Sequence, residues 1–247
     1  MAVAALPTLP APFAWDGEQI AGALPGARLL FSTRLGGVSE GPYASLNLGR
    51  LTDDPDANVH ENRRRLCAAI GHPWERVHFG RQVHGALVVR QAEPRRAFAE
   101  ADGQATARDD GAALVFVADC LPILLAAEGA VAALHGGWRP LAAGVVAEGV
   151  AALREVGGRG PIHAALGPSA RGCCYEVGEE VHERLPGARV GERNLDLAAV
   201  ATAQLRAAGV ESVHDVGLCT MCRPDLFFSH RRDRGVTGRQ AGVVWRA

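Results

Sequence analysis

The chain has 247 residues, of which 48% are apolar and 21% charged, with a net charge of −1. That is the composition of a globular protein of one large or two small domains, with no excess charge to draw nucleic acid or an anionic membrane as a partner. All 26 basic residues are arginine, which excludes a phosphate-loop lysine and a Schiff-base lysine, and with them conventional pyridoxal phosphate chemistry.

Residues 1–15 are broken by prolines and carry no basic region. They read as neither signal peptide nor membrane helix, but as a peripheral segment ahead of a single domain over residues 16–247. Apolar runs such as residues 121–127 are too short to span a bilayer. Six cysteines in such a chain are expected as reduced thiols in a cytoplasm.

The pattern then predicts a strand over 27–34 and a polar, turn-rich loop over 39–49. A helix over 58–70 follows, closed by Gly71 with Pro73 beyond. A strand is expected around 86–89, a loop over 100–110 carrying Asp102-Gly103, and a helix over 141–156. Later come a strand over 162–166, helices over 177–185 and 195–208, and closing strands over 213–218, 226–230 and 241–245. Strands and helices are interspersed without strict alternation. The expected fold class is α+β, a mixed β-sheet sandwich with flanking helices.

The chain is organised around residues 115–145. Two apolar runs of strand length are separated by the turn signal Glu128-Gly129; Cys120 sits inside the first run, after Asp119, and His135 closes the second. Gly136-Gly137-Trp138-Arg139-Pro140 then hands the chain to a helix N-terminus, where free N–H groups favour an anion.

His84, Cys120 and His135 each stand at or near the end of a β segment. Their spacing matches no local zinc-binding pattern. Two imidazoles and a thiolate nevertheless make a three-ligand zinc set with one open position, whereas each residue alone is equally at home as a satisfied polar group or a small buried hydrophobe. Cys219-Thr220-Met221-Cys222 is a lone C-x-x-C, and the adjacent Cys173-Cys174 makes an awkward partner for one tetrahedral ion. These four cysteines are expected to be structural. No H-E-x-x-H or G-x-G-x-x-G occurs, which weakens the metalloprotease and dinucleotide-binding readings.

The ordered motifs Thr33-Arg34-Leu35-Gly36-Gly37, Ser45-Leu46-Asn47-Leu48-Gly49, Gln82-Val83-His84-Gly85, Ala118-Asp119-Cys120-Leu121-Pro122, His135-Gly136-Gly137-Trp138-Arg139, Tyr175-Glu176-Val177-Gly178 and Phe227-Phe228-Ser229-His230-Arg231-Arg232 resemble those of the YfiH family. That family is also known as laccase-domain or polyphenol oxidase proteins and as purine nucleoside phosphorylases. The resemblance covers nearly the whole chain. Gly136, Pro140 and His230 depart from it, standing where the family has Ala, Gly and Tyr.

The resemblance implies a zinc enzyme with His84, Cys120 and His135 as metal ligands and catalytic residues. It implies phosphorolysis of adenosine, inosine, guanosine and methylthioadenosine, with adenosine deamination as an additional activity and purine nucleosides and phosphate as partners. Arg34, Asn47 and Arg231 are the expected substrate contacts, in a monomer or small homo-oligomer. The alternatives are a cysteine hydrolase that edits peptidoglycan precursors, a copper-dependent polyphenol oxidase, or a non-enzymatic zinc protein. Nine histidines without one His-x-His pair disfavour a true multicopper oxidase, although copper could bind the His-Cys-His set adventitiously.

Overall fold

A computed structural model describes residues 6–91 and 99–247. Its framework is a pair of six-stranded sheets laid face to face. The first runs in the order β1 (Phe13–Asp16), β2 (Gln19–Leu24), β3 (Ala27–Phe31), β14 (Gln240–Arg246), β7 (Ala112–Val117) and β4 (Val77–His78). The second runs in the order β13 (Ser212–Asp215), β10 (Arg159–Leu166), β8 (Leu121–Glu128), β9 (Ala130–Gly136), β6 (Gly103–Thr106) and β5 (Val88–Gln91). A small hairpin of β11 (Arg189–Val190) and β12 (Asn194–Leu195) stands apart from both. The helices are α1 (Asp56–Ile70), α2 (Trp138–Ala142), α3 (Val145–Glu155), α4 (Glu179–Arg184) and α5 (Leu197–Ala207).

The apolar runs of the centre are explained by what lies on each face. In β8, Ile123 and Leu125 point to the core shared with α2, α3 and α5, while Leu124 and Ala126 point to the core between the sheets. Leu134 and Val131 of β9 divide in the same way. A strand covered on both sides has no polar face to show, so its sequence is continuously hydrophobic. In the first sheet Leu29 and Phe31 face the other sheet, while Leu30 faces α1 with Leu66 and Ile70. The layers are therefore helix, sheet, sheet and helices.

The expected mixed-sheet sandwich is the observed fold. Gly71 ends α1 in the left-handed region at φ 73°, and Gly129 turns β8 into β9 at φ 84°. Four local expectations change. The helix expected over 141–156 is two helices, split by Gly144 at φ 90°. The loop expected over 100–110 contains β6, where Gly103 has no room for a Cβ: Leu134 and Val88 side chains would lie 2.8 and 2.9 Å from it. Residues 226–230 form no strand, since the Gln240 side chain takes both the N–H and the C=O of Phe228. Finally, the segment expected to be peripheral contributes edge strand β1, whose Phe13 is buried against Phe31; residues 1–5 lie outside the described residues. No helix among the described residues is long and apolar enough to cross a membrane.

Candidate metal centre and substrate cavity

Cys120 is not inside a strand. β7 ends in the first sheet at Val117 and β8 begins in the second at Leu121, so residues 118–120 carry the chain across the sandwich. Asp119 pins this crossing. Its carboxylate accepts from Thr220 Oγ1 at 2.6 Å and from the Arg231 backbone N–H at 2.7 Å, and its carbonyl accepts from Ala170 N–H at 2.8 Å. Its φ of 85° lies where a non-glycine residue is held only by its surroundings.

His135 stands at the end of β9, and His84 lies in the loop between β4 and β5 at φ 59°. Both are placed by a residue whose role the sequence did not disclose. Asp102, fully buried just before β6, accepts the N–H groups of Val83, His84 and Gly85 at 3.1, 3.0 and 2.7 Å. Its Oδ1 also accepts from His135 Nδ1 at 2.7 Å, and its carbonyl from His135 N–H at 2.7 Å. One carboxylate thus shapes the His84 loop and fixes the His135 ring with Nδ1 engaged and Nε2 on the Cys120 side. Burial opposes its charge, but the His135 bond and the backbone donors hold its carboxyl below the usual range.

Ligand atoms of His84, Cys120 and His135 all lie within 4.8 Å of one another, and the two imidazoles meet edge to face at 4.9 Å between centroids. Burial would raise the Cys120 thiol, yet the two histidines pull it down to about 6; the thiolate and Asp102 in turn raise His135 to about 9 against the effect of burial. A thiolate and a fixed imidazole are what a zinc-type ion needs, and a carboxylate behind the ligating histidine is its usual support. The donor set therefore fits a metal with three protein ligands. A side chain at Gly137 would crowd the group, since a Cβ there would sit 3.1 Å from Cys120 Sγ.

The three residues form part of the lining of a cavity of about 780 Å³. Trp74, Phe79 and Phe116 make an aromatic side, with the Arg63 guanidinium over Trp74 at 4.4 Å. Arg50, Arg81 and Arg239 line it as well. Arg50 is paired with Asp56 and Arg81 with Glu100, whereas Arg239 NH1 bonds only the carbonyls of Thr237 and Gly238 and forms no ion pair among the described residues.

The three expected substrate contacts lie elsewhere. Asn47 is fully buried, its amide donating to Gly49, Thr52 and Asp54 and accepting from the N–H of Gly49 and Arg239. Arg34 bonds the carbonyls of Ala44 and Pro224 and lies 4.8 Å over Phe228. Arg231 bonds Glu176 O and lies 5.1 Å over Tyr175. None of them lines the cavity, although His230 does. In place of Arg34 and Arg231, the cavity takes its charge from arginines that carried no motif signal.

The fold and site define a class: a two-sheet sandwich with a His-Cys-His group where one strand crosses between sheets. The chain belongs to the family described as multi-copper polyphenol oxidoreductase laccase, whose model matches residues 28–247. It is 42% identical over 238 residues to a purine nucleoside phosphorylase of Corynebacterium glutamicum, covering 88% of this chain and 94% of that protein. Among solved structures it is similar to YlmD of Geobacillus stearothermophilus, with TM-score 0.85 and 34% identity over 96% of this chain and 99% of that one. It is also similar to the Bacillus licheniformis hypothetical protein YfiH, with TM-score 0.86 and 28% identity over 96% and 100%.

Proposed function

We propose that the protein is a zinc-dependent purine nucleoside phosphorylase whose reacting centre lies where His84, Cys120 and His135 converge. That convergence, in a cavity with one aromatic side and several arginines, is the observation that carries the reading. The name of the Corynebacterium glutamicum relative supports it. Adenosine, inosine, guanosine and methylthioadenosine share the purine and ribose that such a cavity would take. A cytoplasmic location suits these substrates and keeps Cys120 reduced.

In phosphorolysis a phosphate oxygen bonds to ribose C1′ as the C1′–N9 bond breaks, the electron pair leaves with the purine, and the base takes up a proton. Zinc held by His84, Cys120 and His135 would supply a Lewis acid with one open position. The chain's own groups do the rest. Trp74, Phe79 and Phe116 offer flat apolar surface for the base. The Arg239 guanidinium, which has no carboxylate partner among the described residues, would bind phosphate. Asp102 keeps His135 in one orientation throughout.

An open position on the same ion would equally suit attack of water on adenosine, so deamination is a second activity to be measured. The test is product analysis of adenosine with and without phosphate. Phosphate-dependent adenine and ribose 1-phosphate, lost in Cys120→Ala, support the proposal. Inosine formed without phosphate makes deamination the main reaction. Full activity and full metal content in Cys120→Ala sinks the assignment, and turnover that needs Cys120 but no metal returns the cysteine-hydrolase reading.

A further inference from the structure

Away from the cavity, two loops bring four more cysteines together. Cys173 and Cys174 come from the turn after β10, and Cys219 and Cys222 from the loop after β13. All four sulfurs lie within 4.8 Å of one another, with Cys174 to Cys222 at 2.9 Å and Cys173 to Cys222 at 3.6 Å. The adjacency that made Cys173-Cys174 an unpromising pair is resolved by the backbone. A tight turn, in which Cys174 N–H and Tyr175 N–H both reach Arg171 O at 2.9 Å, leaves both sulfurs within reach of the opposite loop.

The loops are docked by bonds that do not involve sulfur. Ser169 pairs with Cys219 as a parallel bridge, and Thr220 N–H donates to Ser169 O at 3.0 Å. Arg171 is clamped to Asp215 by two bonds of 2.9 and 2.8 Å. The sulfurs are thus gathered on a frame that exists without them. Thiols are weak donors and weak acceptors, so hydrogen bonding among four of them is poor compensation for holding them together. Four sulfurs around one point do match the ligand set that selects zinc over the harder divalent ions. A zinc–sulfur bond of about 2.3 Å requires tetrahedral S···S edges of about 3.8 Å, which small side-chain rotations could reach here.

We propose that Cys173, Cys174, Cys219 and Cys222 form a second metal site, closed by four thiolates, that takes zinc in a structural role. Its location gives that role a purpose. Thr220, next to Cys219, donates to Asp119, the residue that pins the crossing bearing Cys120. A cation joining the two loops would stiffen the support behind Cys120 without touching substrate.

The proposal is independent of the reaction, and its test reads metal rather than turnover. Reduced full-length protein is loaded with zinc, desalted and assayed for zinc per chain. Wild type is expected to hold two zinc ions, Cys222→Ser and Cys173→Ser one each. Both changes are at exposed positions, so the fold should survive them. Cys120→Ser should retain one zinc, and X-ray absorption should then show four sulfurs at about 2.3 Å with no nitrogen. Zinc content unaffected by either exposed-cysteine change would overturn the proposal. So would a nitrogen-containing shell in Cys120→Ser.

Discussion

Asp102→Asn separates the support of the proposed metal centre from its ligands. The Asp102 carboxylate receives four N–H donors in two pairs: His84 N–H and His135 Nδ1 on one oxygen, Val83 and Gly85 N–H on the other. An asparagine can offer an oxygen to only one pair. Turning its NH₂ toward Val83 and Gly85 would strand two backbone donors at about 1–3 kcal/mol each. Turning it toward His135 strands only the His84 N–H, because the imidazole can change tautomer and accept at Nδ1. The second orientation wins. Its consequence is a proton on His135 Nε2, the nitrogen needed for the metal. Stability should fall by about 1–3 kcal/mol, a loss of roughly 2–12 °C in Tm for a chain of this size. Affinity at the His84–Cys120–His135 centre should fall about 10–100-fold. Competition with a chelator of known zinc affinity measures the second effect in a Cys173→Ser background, and thermal unfolding measures the first. Asp102→Asn with wild-type zinc affinity at that centre would refute the assigned role.

Three further outcomes are expected. Arg239→Gln should raise the KM for phosphate about 10–100-fold with little change in nucleoside affinity, the loss of about 1.5–3 kcal/mol expected for bonds to a charged group; initial rates at varied phosphate check it. In zinc-stripped protein Cys120 should alkylate half-maximally near pH 6 and stay flat to about pH 8, because its thiolate forms as pH rises through about 6, well below the ordinary thiol value near 8.5. Peptide mass spectrometry separates it from Cys67 and Cys173, both pushed up to about 11, first by burial. Leu124→Ala, at a fully buried position between the sheets, should cost about 2–5 kcal/mol in denaturant unfolding while leaving zinc content unchanged.

The elements legible in the sequence were those whose signals are local. Gly71 after α1, Gly129 between β8 and β9 and Gly209 after α5 each mark an end that the backbone obeys. Gly103 misled, since a glycine excluded from bearing a side chain by Leu134 looks the same in sequence as a glycine in a turn. Phe227 and Phe228 misled in the opposite sense: they are buried like strand residues, but the Phe228 backbone is served by the Gln240 side chain and the Phe227 backbone by Arg223 O and the Arg232 side chain. At the site, the grouping of His84, Cys120 and His135 came from the family resemblance and not from spacing. Asp102 remained hidden because its four partners come from two separate segments, and Asp-Gly is an ordinary turn signal. Asn47 looked functional within a strong motif, yet its amide is consumed in holding the loop of residues 47–54 and the Arg239 backbone.

The most direct measurement is anomalous diffraction at the zinc edge from crystals of zinc-loaded protein soaked with a nucleoside and phosphate. It should show one ion about 2.0–2.1 Å from a nitrogen of His84 and of His135 and about 2.3 Å from Cys120 Sγ, with no fourth protein ligand and the glycosidic bond facing it. An absent anomalous peak between these residues, or a fourth protein ligand closing the ion from the cavity, would contradict the proposed centre.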